Sequence, residues 1–70
     1  MKRQKLKYLK EVARQRFANF QVYQEPDGPG WIAHGIHREH RTLWTARGST
    51  EREALEILLG FAQPKVEVPS

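Results

Sequence analysis

Leu6, Leu9, Ala13, Phe17 and Phe20 are spaced 3, 4, 4 and 3 residues apart, which at about 100° per residue gathers them on one narrow stripe. The spacing predicts an amphipathic helix from near Arg3 to Phe17. From Asn19 onward, Phe20 and Val22 alternate with polar residues, so the chain is expected to become extended there. EPDGPG, Glu25 to Gly30, places two prolines and two glycines in six residues, a composition that fits neither a helix nor a central strand and predicts a hairpin loop.

Trp31–Ile36 and Thr42–Ala46 are rich in aromatic and β-branched side chains and read as a second and a third strand. HREHR between them is a polar turn. After Gly48 the pattern becomes helical again. Thr50 and Glu53 match the S/T-x-x-E capping box, in which each side chain answers the other residue's free backbone N–H. Ala54, Leu58, Phe61 and Ala62, widened by Leu55 and Ile57, supply the apolar stripe, and Pro64 is expected to stop the helix. Gly60 either loosens its last turn or admits another backbone.

The elements form an α+β domain over residues 1–63: a two-layer helix–three antiparallel strands–helix (αβββα) with both helices on one face of the sheet. Residues 64–70 form a tail. In it Val66 and Val68 alternate with Lys65 and Glu67, the pattern of a short fourth edge strand.

Seventy residues bury only about 60% of the surface of the unfolded chain, so the core is thin and a homo-oligomer is expected. With 39% hydrophobic and 29% charged residues, the chain is globular rather than a disordered tail. The lack of cysteine rules out disulfides and thiolate metal sites, and the cytoplasm is the expected compartment. The longest nearly apolar run, Ile57–Ala62, is far short of the roughly 20 residues that span a bilayer. Leu6 to Phe20 is broken by charges and offers no apolar signal-peptide segment. No membrane partner is expected.

Charge is divided unevenly along the chain. Residues 1–17 carry seven basic side chains against Glu11 alone (+6), and the rest carries five basic against seven acidic (−2). Arg3, Lys7, Lys10 and Arg14 recur at i, i+4, i+7 and i+11 and form a basic ridge suited to phosphates, to an acidic protein surface, or simply to water.

His34, His37 and His40 have spacings that invite a metal reading, but an offset of three along a strand points His34 and His37 to opposite faces. No metal and no cofactor are expected. His37-Arg38-Glu39-His40-Arg41 also holds the residue types that cleave a phosphodiester: one histidine as base, one as acid and an arginine on the phosphate. Polar turns share this composition without any chemistry. Trp31 and Trp44 suit either base stacking or, more simply, the core.

LWTARGSTEREAL, Leu43 to Leu55, preceded by GWIAHGI, resembles the core of the HicB-like antitoxin family. In that family an aromatic-x-Ala strand and a third strand lead into a G-x-T-x-x-E-A helix start. YLKEVARQRF, Tyr8 to Phe17, resembles the helix that one branch of the family places before its first strand. The likeness covers about residues 8 to 62. It departs from the family where HREHRT replaces a Pro-x-Leu-Pro-Gly turn, and no ribbon-helix-helix or helix-turn-helix segment follows Pro64, so operator binding is not expected of this stretch.

The resemblance implies a non-catalytic antitoxin that masks a small HicA-type RNase toxin. The double-stranded-RNA-binding domain shares the element order and a Gly-Pro loop such as Gly28-Pro29. Its second helix, however, opens with lysines, where Glu51, Arg52, Glu53 and Glu56 stand here, and carboxylates repel phosphate. A nucleic-acid-binding module using the basic first helix is the alternative function. The residues expected to contact a protein or nucleic-acid partner are Arg3, Lys7, Lys10, Arg14, His37, Arg38, His40 and Arg41.

Overall fold

A computed structural model describes residues 5–62. It contains α1 (Leu6–Arg16), β1 (Phe17–Gln24), β2 (Trp31–His37), β3 (Leu43–Gly48) and α2 (Glu51–Leu59). The strands form one antiparallel sheet in the order β1-β2-β3. Both helices pack on one face, α2 over β2 and β3, and α1 over β1 and against α2. This is the expected αβββα arrangement. The tail, with Pro64 and the expected fourth strand around Val66 and Val68, lies outside the described residues.

The buried residues are Leu9 and Ala13 of α1, Phe17 of β1, Ala33 and Ala46 on the inner face of the sheet, and Ala54, Leu55, Leu58 and Leu59 of α2. Small alanines on the sheet let the helices sit close. The bulk comes from one phenylalanine and the leucines. Lys10 Nζ and Glu51 Oε2, 3.0 Å apart, tie α1 to the start of α2.

The first helix ends at Arg16, one residue before the expected Phe17. Phe17 is already extended, with φ −125° and ψ 135°, and Phe20 lies within β1. Both still face the core, because the register of β1 on β2 shifts between Ala18 and Gln21. The bulge passes through Asn19 in the left-handed region (φ 55°), a conformation asparagine tolerates. One extra residue turns a two-residue repeat into a three-residue one, so the step from Phe17 to Phe20 continues the helical spacing inside a bulged strand.

α2 begins at a cap that differs in one detail from a reciprocal box. Thr50 Oγ1 accepts from Glu53 N–H at 3.0 Å. Glu53 Oε1 in return takes the N–H of Ser49, not of Thr50, at 2.9 Å, together with the Ser49 hydroxyl at 3.2 Å. The other end is set by Gly60, left-handed at φ 84°. Phe61 N–H donates to Glu56 O and Gly60 N–H to Ile57 O, the paired bonds of a Schellman motif. The helix therefore stops before Phe61, which is half exposed, and Leu59 takes the place in the core that the periodicity gave to Phe61 and Ala62. Gly60 ends the helix, and no described residue lies within 4 Å of a Cβ built there.

Candidate functional site

The expected contact residues come from two separate stretches, the ridge of α1 and the turn after β2. The fold joins them at one corner. Arg38 N–H donates to Arg16 O at 2.9 Å, and Arg38 Nη2 reaches Arg14 O at 3.3 Å. The β2–β3 turn is thereby laid against the C-terminal end of α1, where the helix dipole welcomes positive charge. Arg16 Nη1 approaches Leu59 O, the last carbonyl of α2, at 3.4 Å. Arg14, Arg16, Arg38 and Arg41 are all exposed, and Glu39 is the acidic residue of the turn.

Aromatic rings fill the same corner. His37 stacks on Trp44 with centroids 4.6 Å apart and planes at 29°, and it lies 4.5 Å from His40. His40 and Trp44 are nearly parallel at 11° and 6.0 Å. Beneath them Phe17 meets His37 and Trp44 edge-on at 5.2 and 5.7 Å. Phe17 fits because Gly35 has no side chain: a Cβ at residue 35 would stand 2.6 Å from Phe17 Cβ. The bulge, the glycine and the buried phenylalanine thus set the height of the ring cluster.

Hydrogen bonds fix its orientation. Trp44 Nε1–H donates to Thr42 Oγ1 at 3.0 Å, which satisfies the one donor of the indole. His37 Nδ1 accepts from the N–H groups of Glu39 and His40, each at 3.2 Å. In the neutral ring the proton therefore sits on Nε2, and His37 offers a donor outward. A general base would need a free lone pair, and the one on Nδ1 is taken up by the turn.

The expected contact residues do not all remain available. Lys10 is engaged with Glu51, and Arg38 with the end of α1. Lys7 lies a turn or more from the corner, and Arg3 is outside the described residues. Arg14 and Arg41 are the cations of the corner whose side chains no described residue engages. Trp44, which the sequence favoured for the core, is 39% exposed, whereas Trp31 packs against the core. His34 faces the other side of the sheet, against Tyr23, and no three His, Cys, Asp or Glu side chains converge on one point among the described residues.

The first turn of α2 is the opposite kind of place. Glu51 and Glu53 occupy it, with Glu53 closing the cap and Glu51 holding Lys10. Thr50 answers the Glu53 N–H, and the carboxylates of Glu51 and Glu53 complement the helix dipole and disfavour a bound anion.

Among the described residues, nothing covers the sheet face away from the helices. Register places Tyr23 beside Ile32, Gln21 beside His34, and Ile36 beside Leu43, all on that face. Tyr23, Ile36 and Leu43 are 41, 38 and 68% exposed. Nothing in the sequence marks this surface, because which residues of a strand face outward depends on which side the helices choose. No helix among the described residues is long and apolar enough to cross a membrane. No family model matches the chain, and neither does any curated protein or solved structure.

Proposed function

We propose that this chain acts by binding a protein partner rather than by catalysis. The observation that carries this reading is the bare sheet face with Tyr23, Ile36 and Leu43 exposed on it. Apolar side chains gathered on one uncovered layer are the usual mark of a contact surface. The strand, Gly-Ser-Thr turn and capped helix of Leu43–Leu59 further support a HicB-like antitoxin, whose partner would be a small HicA-type RNase. Masking of that enzyme requires no reactive group on this chain, and the tautomer of His37 accords with that.

The test is to purify the chain with the product of its adjacent reading frame, measure association, and assay RNA cleavage by that product with and without this protein. Association with inhibition is expected, and Ile36→Asp with Leu43→Asp should abolish both while leaving the circular dichroism spectrum unchanged. RNA cleavage by this chain alone, lost in His37→Ala or His40→Ala, overturns the reading.

A second reading has its own observation. The half-exposed Trp44 and His40 rings, flanked by Arg14 and Arg41, suit an unstacked base and its neighbouring phosphates. Binding to single-stranded RNA that falls steeply with salt, and that survives Ile36→Asp with Leu43→Asp, favours it over the protein partner.

A further inference from the structure

The two edges of the sheet are unequal. β1 is blunted by the bulge at Asn19, a device that discourages edge pairing. β3 is regular over all six residues, contains neither lysine nor proline, and pairs with β2 without a break from Trp31–Gly48 to Ile36–Leu43. Its one charge, Arg47, is held by Glu25 Oε1 at 2.6 Å from Nη2. Among the described residues no strand lies beyond it.

The backbone groups that β3 presents outward follow from the ladder. His37 N–H donates to Thr42 O at 2.8 Å, which makes those residues a hydrogen-bonded pair. Such pairs alternate with non-bonded ones along an antiparallel ladder. Gly35–Trp44, Ala33–Ala46 and Trp31–Gly48 are then the bonded pairs, and Leu43, Thr45 and Arg47 turn their N–H and C=O groups to the free edge. Beside that edge runs an open groove lined by Trp44, Ala46, Ile57 and Leu58.

We infer that this edge pairs with the β3 of a second copy of the chain, antiparallel about a two-fold axis at Thr45, to give one continuous sheet. In that register Thr45 faces Thr45 of the other copy and Leu43 faces Arg47, so every outward N–H and C=O of the strand finds a partner. Trp44 falls opposite Ala46 in a non-bonded pair, where side chains approach most closely, and the large ring of each copy enters the groove beside the small residue of the other. A register centred on Arg47 would instead oppose like charges, and one centred on Leu43 would leave Arg47 unpaired. The match of indole to alanine notch, with no like charges opposed, selects a second copy over an unrelated strand. The bare sheet face stays open in this dimer, so the inference stands whether or not the partner proposed above is correct.

Because the chain has no cysteine, a single Thr45→Cys variant reports on the axis directly. Bonded antiparallel pairs set Cα atoms about 5.5 Å apart, within reach of a disulfide. Mild oxidation should cross-link Thr45→Cys into a dimer while Gln21→Cys on β1 remains monomeric. Sedimentation of the unmodified chain should show a dimer, and Trp44→Ala should weaken it by roughly an order of magnitude, as loss of a central aromatic anchor does. Hydrogen exchange should find the amides of Leu43, Thr45 and Arg47 protected. A monomer at all accessible concentrations overturns the proposal, whether those amides exchange freely or are shielded by the chain's own tail. A dimer that cross-links through Gln21→Cys and not through Thr45→Cys overturns it equally.

Discussion

The two ends of β3 are built on opposite principles. Where the strand runs into α2, Arg47 meets Glu25, Ser49 and Thr50 meet Glu53, and Glu51 meets Lys10. Where the strand begins, the Trp44 N–H is satisfied by Thr42, but the stacked Trp44 and His40 rings keep an exposed part and the Arg14 and Arg41 side chains are exposed. Both ends are polar and both lie beside a helix. The difference is whether the chain answers its own groups, and that separates a structural corner from a corner able to take a ligand. Substitutions at the first should change stability and spare binding; at the second the order should reverse.

The largest effect is expected where the open corner touches the core. Phe17 is 2% exposed and carries His37 and Trp44 on its ring. Phe17→Ala should cost about 3–5 kcal/mol, measured by denaturant unfolding, and should shift the tryptophan emission as the Trp44 stack loosens. If stability falls and the emission from Trp44 stays as it was, the ring cluster does not depend on this support.

Next in size is the closed corner. A Cβ at Gly48 would come within 2.6 Å of Ala54 N and 2.9 Å of Glu53 C, contacts with helix backbone that cannot move aside cheaply. Gly48→Ala should destabilise by about 1–3 kcal/mol, the range for overpacked sites, and any partner bound through the bare sheet face should bind as before once the variant is folded. Thr50→Ala removes the acceptor for Glu53 N–H and should cost about 1 kcal/mol, read as a lower melting temperature. Loss of partner binding in a variant that melts like the parent would show this corner to be a contact surface after all.

Sequence carried some of this and not the rest, for reasons that lie in particular residues. Thr50-x-x-Glu53 announced its cap because capping is local: donor and acceptor lie three residues apart and need no tertiary partner. The change from helix to strand was legible in the alternation of Phe20 and Val22 to within a residue, but the bulge was not, because a bulged strand and a helix can both place residues three apart on one side and only the pairing with β2 distinguishes them. Phe61 misled because Gly60 breaks the period just before it. The basic ridge and the histidine turn were each visible, yet their meeting at one corner depends on Arg38 bonding to the end of α1 across 24 positions of sequence. Trp44 looked like core because composition cannot reveal that β3 is an edge.

The smallest effect on stability, and the sharpest test of the contrast, belongs to Arg14 and Arg41. Both side chains are exposed and no described residue engages them, so removing their charge deletes no internal contact. Arg14→Glu does place an acid near the C-terminal end of α1, where the helix dipole disfavours it by about 0.3–1 kcal/mol. Arg14→Gln with Arg41→Gln avoids that cost, and the pair should melt within about 0.5 kcal/mol of the parent, as surface changes usually do. If the open corner takes phosphates, the same pair should weaken binding to single-stranded RNA. It should also reduce the salt dependence, lowering the slope of log K against log salt by about 1.4, since each single-strand phosphate contact contributes about 0.7. Lys10→Gln serves as the internal comparison: it removes a charge from the same helix, but one already spent on Glu51 at 3.0 Å. That change should leave the slope almost where it was and cost stability by no more than about 1 kcal/mol, the upper range for a surface pair. Equal slopes for the two variants would mean that RNA senses only the total charge of α1, and the open corner would lose its claim to be a site.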